Sequence, residues 1–150
     1  MIKFDLKIEP KLFNGDFIAQ ITNAEYYTSS KNFHCFAVTF KLIEFDIKFT
    51  DRLFFAVSEY SFHEKKNVIS AGRIYIVLKT LEKLGFDFIE IENKEQLFDF
   101  IENEQNINDI VNFLTNLIVK ISITSTVNNY YVNYNVKKIE LADYNSAQPF

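Results

Sequence analysis

From Asp16 to Tyr27 the chain alternates, with Phe17, Ala19 and Ile21 on one face and Ile18, Gln20 and Thr22 on the other. A period of two predicts a strand, and Gly15 opens it. The polar break Thr28-Ser-Ser-Lys-Asn32 reads as a turn. His34 to Glu44 is a second strand with a stronger alternation: Phe36, Val38, Phe40 and Leu42 point one way, opposed by Phe33, Cys35, Ala37, Thr39 and Lys41. A tight connection at Glu44-Phe-Asp46 leads to a third strand, Ile47 to Ser58. There Ile47, Phe49, Leu53, Phe55 and Val57 oppose Lys48, Thr50, Arg52, Phe54 and Ala56. Residues 59–70 read as a polar loop.

The period then lengthens. Ile74, Val77, Leu78, Leu81 and Leu84 recur at helical spacing, with Ser70 to cap the start and Gly85 the end. Two shorter helical pieces are predicted over Lys94–Glu102 and Asn108–Leu114, linked by the polar Asn103-Glu-Gln-Asn106. Alternation returns in Val119, Ile121 and Ile123 against Lys120, Ser122 and Thr124. Asn128-Asn129 suits a tight hairpin turn, and Tyr130 to Leu141 is the returning strand. No internal repeat interrupts this order. Three strands, a helical insert and two strands predict a mainly β fold: a five-stranded OB-like Greek-key barrel with its helix between strands three and four. A plain antiparallel sheet packed on helices is the competing architecture. One domain over 1–141 and a short flexible C-terminal tail over 142–150 account for the whole chain.

Composition adds an excess of rings. Phe and Tyr together number 25 in 150 residues, more than one core of this size needs, so some are expected on a stacking or docking surface. Gly numbers only 3 and Pro only 2, which leaves no glycine-rich phosphate loop. No run of apolar residues is long enough to span a bilayer, and the first residues alternate charge instead of forming a secretory signal. The single Cys35 excludes an internal disulfide and fits a reducing compartment, so a cytoplasmic location is expected, with no membrane partner.

The net charge of −4 is unevenly spread. Residues 28–79 carry eight Lys or Arg against five acids, while 82–109 carry nine acids against two lysines. Residues 110–138 contain Lys120, Lys137 and Lys138 and no acid. An acidic insert thus separates two mildly basic stretches, a layout that admits an anionic ligand on one face.

Catalytic and metal chemistry find little support. His34 and Cys35 are adjacent on a strand and point to opposite faces, so they do not close around one ion. The carboxylates from Glu90 to Glu104 read as a solvated helical face, and none is singled out as an acid or base. No enzyme activity, metal or cofactor is expected. Nucleic-acid binding is better served. Single strands are held by cations that track phosphates and by rings on which bases stack. The outward faces of strands two and three offer Phe33, Lys41, Lys48, Arg52 and Phe54. Tyr26, Tyr27 and Lys31 lie in or beside the first inter-strand loop, and Tyr130 and Tyr131 at the last hairpin, with Lys120 and Lys137 alongside. Each also has a plain reading: Phe33 and Phe54 beneath a loop or the helical insert, the tyrosines as ordinary strand residues, the cations as a solvated sheet face.

With these elements in place, the chain resembles the single-stranded-DNA-binding proteins, phage and mobile-element types in particular. The resemblance spans about residues 13–141: Phe13-Asn-Gly-Asp-Phe17 opening strand one, Gly72 to Gly85 as the middle helix, Leu117 to Thr124 opening the final hairpin. It extends to the terminal Pro149-Phe150, although only Glu140 and Asp143 supply acid near that tip. The resemblance implies a protein that coats single-stranded DNA in replication or recombination without catalysis. It also implies recruitment of replication or recombination proteins through Pro149 and Phe150, and assembly into a homo-oligomer. A protein–protein module, as a phage structural or inhibitory protein using its aromatic and acidic surface, is the alternative. A small carboxylate enzyme is the third.

Overall fold

In the computed structural model, residues 14–29, 33–61, 66–87, 91–128 and 131–142 are described. The elements are β1 (Gly15–Thr28), β2 (His34–Leu42), β3 (Lys48–Asp51), β4 (Ser58–Ser61), β5 (Lys66–Ile69), α1 (Ala71–Lys83), α2 (Lys94–Glu102), α3 (Glu104–Leu114), β6 (Ile118–Asn128) and β7 (Tyr131–Leu141). Five strands form one antiparallel sheet in the order β3-β2-β1-β6-β7, and β4 and β5 pair as a separate hairpin. The fold is mainly β, and the described helices all fall between β5 and β6 in the chain. The sheet is open. Among the described residues no ladder joins its edge strands β3 and β7. They meet instead through Phe49 and Tyr134, whose ring centroids lie 5.1 Å apart, and through the Val136 N–H, which donates to Asp51 Oδ2 at 3.4 Å.

Alternation in β2 buries Phe36, Val38, Phe40 and Leu42 completely, against Ala19, Ile21, Val119 and Ile121 of the neighbouring strands. The helices cover this inner face with Ile74, Val77, Leu78 and Leu81 of α1 and Ile107, Ile110 and Leu114 of α3. Each such aliphatic or aromatic side chain removed from water stabilises the fold by about 1.5–3 kcal/mol. Ser70 Oγ accepts from the Arg73 N–H at 3.2 Å and caps α1, while Gly85 takes φ 106° just beyond its end.

Four expectations need correction. The predicted third strand ends at Asp51, because the Asp51 carboxylate accepts the N–H groups of Leu53 and Phe54 at 3.1 and 2.8 Å and folds residues 52–55 out of the ladder. Pairing with β2 resumes only as a bridge between Cys35 and Ala56. The predicted loop over 59–70 contains the β4–β5 hairpin. α3 begins at Glu104 instead of Asn108, since Asn103 is a cap whose side chain accepts from the Asn106 N–H at 3.1 Å. In β1 the register shifts between Ile21 and Asn23, so burial passes from Ala19 and Ile21 to Ala24, and the faces beyond Thr22 reverse. The hydroxyl of Thr22 at this bulge is buried without a hydrogen-bond partner among the described residues. Ile21 is held there by the α3–β6 connection, donating to Leu117 O at 2.9 Å and accepting from the Asn116 N–H at 2.7 Å. Asn116 itself sits at φ 73°, which asparagine tolerates better than most residues.

Candidate functional site

Cross-strand partners in an antiparallel pair share a face, so the register assembles the outward surface of β1, β2 and β3. Lys41 lies opposite Lys48, Thr39 opposite Thr50 and Asn23, and Cys35 opposite Tyr27. The two threonine hydroxyls are 2.8 Å apart. Lys41 and Lys48 are both exposed, and like charges directly opposite repel. Arg52, just past the end of β3, lays its guanidinium 4.9 Å from the centroid of the Tyr27 ring. Four predicted residues, Tyr27, Lys41, Lys48 and Arg52, therefore come together on one surface. Two acids share it: Glu25, opposite Ala37, and Asp16, which lies on the same face of β1 as Gln20 and is paired with Lys120 at 3.9 Å.

Next to this surface runs a groove of about 380 Å³ between β3 with its following turn and the β6–β7 hairpin. Thr50, Arg52 and Leu53 form one wall, Thr126, Asn133 and Asn135 the other, and Phe49 and Tyr134 reach into it from the seam between the edge strands. Leu53 in its wall is 65% exposed, and Tyr131, next in the chain to Val132 of the opposite wall, is 76% exposed. Burial raises the Tyr134 phenol above its usual range.

The turn that presents Arg52 and Leu53 is held from both sides. Asp51 takes its N–H groups, and Arg73 of α1 takes its carbonyls: Nε donates to Ala56 O at 2.7 Å, and Nη2 to Leu53 O and Phe54 O at 2.8 and 3.1 Å. Neither Asp51 nor Arg73 was singled out from the sequence, and neither were Leu53, Asn133 and Asn135. An Asp at an inward position of an otherwise apolar strand face, between Phe49 and Leu53, is the one local signal that could have pointed there.

Other predicted residues lie elsewhere. Tyr26 falls on the inner face because of the β1 bulge, packs its ring 5.1 Å from Phe36 and approaches His34 Nδ1 at 3.4 Å. Burial, with smaller contributions from Cys35 and Glu102, raises its phenol. Phe54 is turned from the outward face by the Asp51 cap and sets its ring edge-on to Phe55 at 5.1 Å, against the core. Phe33 is half-buried at the start of β2, where its N–H donates to Ser29 Oγ. Lys120, opposite Ile18, does lie on the outward face, but it is held between Asp16 and Glu140 at 3.9 and 3.6 Å, which offsets its charge. Lys137 is exposed at the β7 register shift, away from the Lys41–Lys48 pair. Lys31, Tyr130, Pro149 and Phe150 lie outside the described residues.

No protein-family model matches the chain, and no curated protein does. Its chemistry must therefore be read from its own surfaces.

Among the described residues, no three His, Cys, Asp or Glu side chains gather where a metal ion would sit, and no helix is long and apolar enough to cross a membrane. Cys35 is fully buried under the outward face. Burial pushes its thiol up to about 11, against the pull of the Arg52 guanidinium, so at neutral pH it is a protonated, unreactive group. A hollow of about 630 Å³ between α1 and α2 is bordered by Glu82 and Glu92, but both are exposed and Glu82 is paired with Lys79 at 3.5 Å. That is the setting of a solvated ion pair.

Proposed function

We propose that this chain is a non-enzymatic single-stranded-DNA-binding protein that coats DNA in replication or recombination, built on an OB-like barrel of the phage or mobile-element type. The observation that carries the reading is the grouping of Lys41, Lys48, Arg52 and Tyr27 on one outward surface beside an open polar groove. Such a layout supplies cations and an aromatic ring on one face, the two kinds of group that grip an unpaired strand. The strand order β3-β2-β1-β6-β7, with β3 approaching β7 across a seam, supports the OB-like part, because that barrel is often only partly closed. The exposed Lys41–Lys48 pair adds a thermodynamic argument: a bridging phosphate relieves their mutual repulsion. Under this reading the protein works in the cytoplasm, and Pro149 and Phe150 recruit replication or recombination proteins.

The test is a titration of a labelled dT oligonucleotide across a salt series. Affinity is expected to fall steeply with salt. Lys41→Ala and Lys48→Ala should each lower the log–log slope by about 0.7, the share of one phosphate contact on a single strand. The exposed acids Glu95, Asp99, Glu102, Glu104 and Asp109 on α2 and α3 favour a second reading, a module that docks a basic protein partner. Absence of dT binding at low salt would leave that reading standing and remove the first.

A further inference from the structure

Arg52 differs from Lys41 and Lys48, which pair with each other toward the opposite end of β2 from Tyr27. Its guanidinium carbon sits over Tyr27, 4.9 Å from the ring centroid, and the residue is nonetheless exposed. No carboxylate among the described residues forms an ion pair with it. The backbone beneath it is fixed by the Asp51 and Arg73 hydrogen bonds, which hold the turn from its N–H and carbonyl sides. A planar cation backed by an aromatic ring on one side and open to water on the other is a stacking surface. Guanidinium planes accept nucleobases as aromatic rings do, while an ammonium cannot.

We infer that Arg52 acts as a base-stacking platform, with Tyr27 as its backing ring and the Asp51–Arg73 clamp as its support, and that a base of the bound strand layers on the open guanidinium face. Phosphate contacts then fall to Lys41 and Lys48. The division of labour differs from the simplest assignment, in which all three cations meet phosphates. It rests on the reading of the chain as a single-strand binder and assigns the step that reads the presence of a base. Asp51 and Arg73 are positioning residues here, since they touch only the turn.

The experiment compares two labelled strands of equal length and backbone charge, dT and a fully abasic strand, binding the full chain by fluorescence anisotropy. Arg52→Lys keeps the charge and removes the plane. Affinity for dT should fall about tenfold, or about 1.4 kcal/mol, which is within the range of one stacked base. Affinity for the abasic strand and the salt slope should hold. Tyr27→Leu should give the same selective loss, and the double variant little more, because the two side chains form one unit. Equal weakening of both strands by Arg52→Lys would make Arg52 a phosphate contact and overturn the assignment, as would no change in either. A wild-type protein that binds neither strand at low salt defeats the functional reading itself, a result distinct from both. Because Arg52 is exposed, its variants should melt with the wild type.

Discussion

Cys35 shows how much one buried side chain can decide. Its thiol is fully enclosed and keeps its proton to about 11, while an ordinary thiol titrates near 9. Below pH 9 both folded and unfolded chains hold that proton, and the contribution to stability is complete. From 9 to 11 only the unfolded chain releases it, so stability should fall as pH rises through that window. Urea midpoints at pH 8, 9.5 and 11 measure this, and Cys35→Ala should flatten part of the decline. Tyr26, whose phenol is also raised, acts in the same direction at higher pH. An equally steep decline in wild type and Cys35→Ala would assign the effect to other groups. At the same scale, Lys120 illustrates why a cation's position is not its availability: Asp16 and Glu140 flank it, so it offers less to an anion than Lys41 or Lys48 does.

At the level of elements, the turn over residues 52–55 is the feature with most leverage. Asp51 and Arg73 supply its hydrogen bonds from β3 and α1, and Asp51 also reaches the Val136 N–H of β7. Asp51→Ala should cost about 1–3 kcal/mol, since it leaves the part-buried Leu53 and Phe54 donors and the buried Val136 donor without their acceptor. Arg73→Ala should destabilise similarly, and Arg73→Lys should recover only part, because one ammonium does not span three carbonyls. Urea unfolding checks the cost. Amide exchange should quicken at Leu53 and Phe54 while the β1–β2 ladder stays protected; uniform quickening would contradict a local role. This turn also marks the limit of what alternation reveals. β2 was legible because four apolar residues at period two face a single core. β1 and the segment after Asp51 were not, because a register shift at Thr22 and a side-chain cap at Asp51 each reverse or halt the pattern without altering composition. Tyr26 and Phe54 went inward for those two reasons, the same register shift brought Tyr27 outward, and Lys41, Lys48 and Arg52 kept the expected outward placement. The β4–β5 hairpin was not legible because its strands are only four residues each, too short to show an alternating pattern.

For the molecule as a whole, charge and architecture are segregated in the same way. Acids cluster on α2 and α3, and the sheet carries exposed lysines on the outward side of β2 and β3 and at the β7 register shift. The sheet is held at its margins by a ring pair and one side-chain bond, so the groove beside that seam is bounded by two strands that share no ladder among the described residues. Its central strand, β1, takes its two neighbours from opposite ends of the chain: β2 follows at once, whereas Gly15 finds Ile123 only after the helices have been made. During synthesis, one margin of β1 must therefore wait, unpaired, until the ribosome has delivered β6. Refolding should accordingly be slow, in the millisecond-to-second range typical of long-range β pairing. Stopped-flow tyrosine fluorescence measures it, and microsecond refolding would mean that β1 and β6 do not limit assembly.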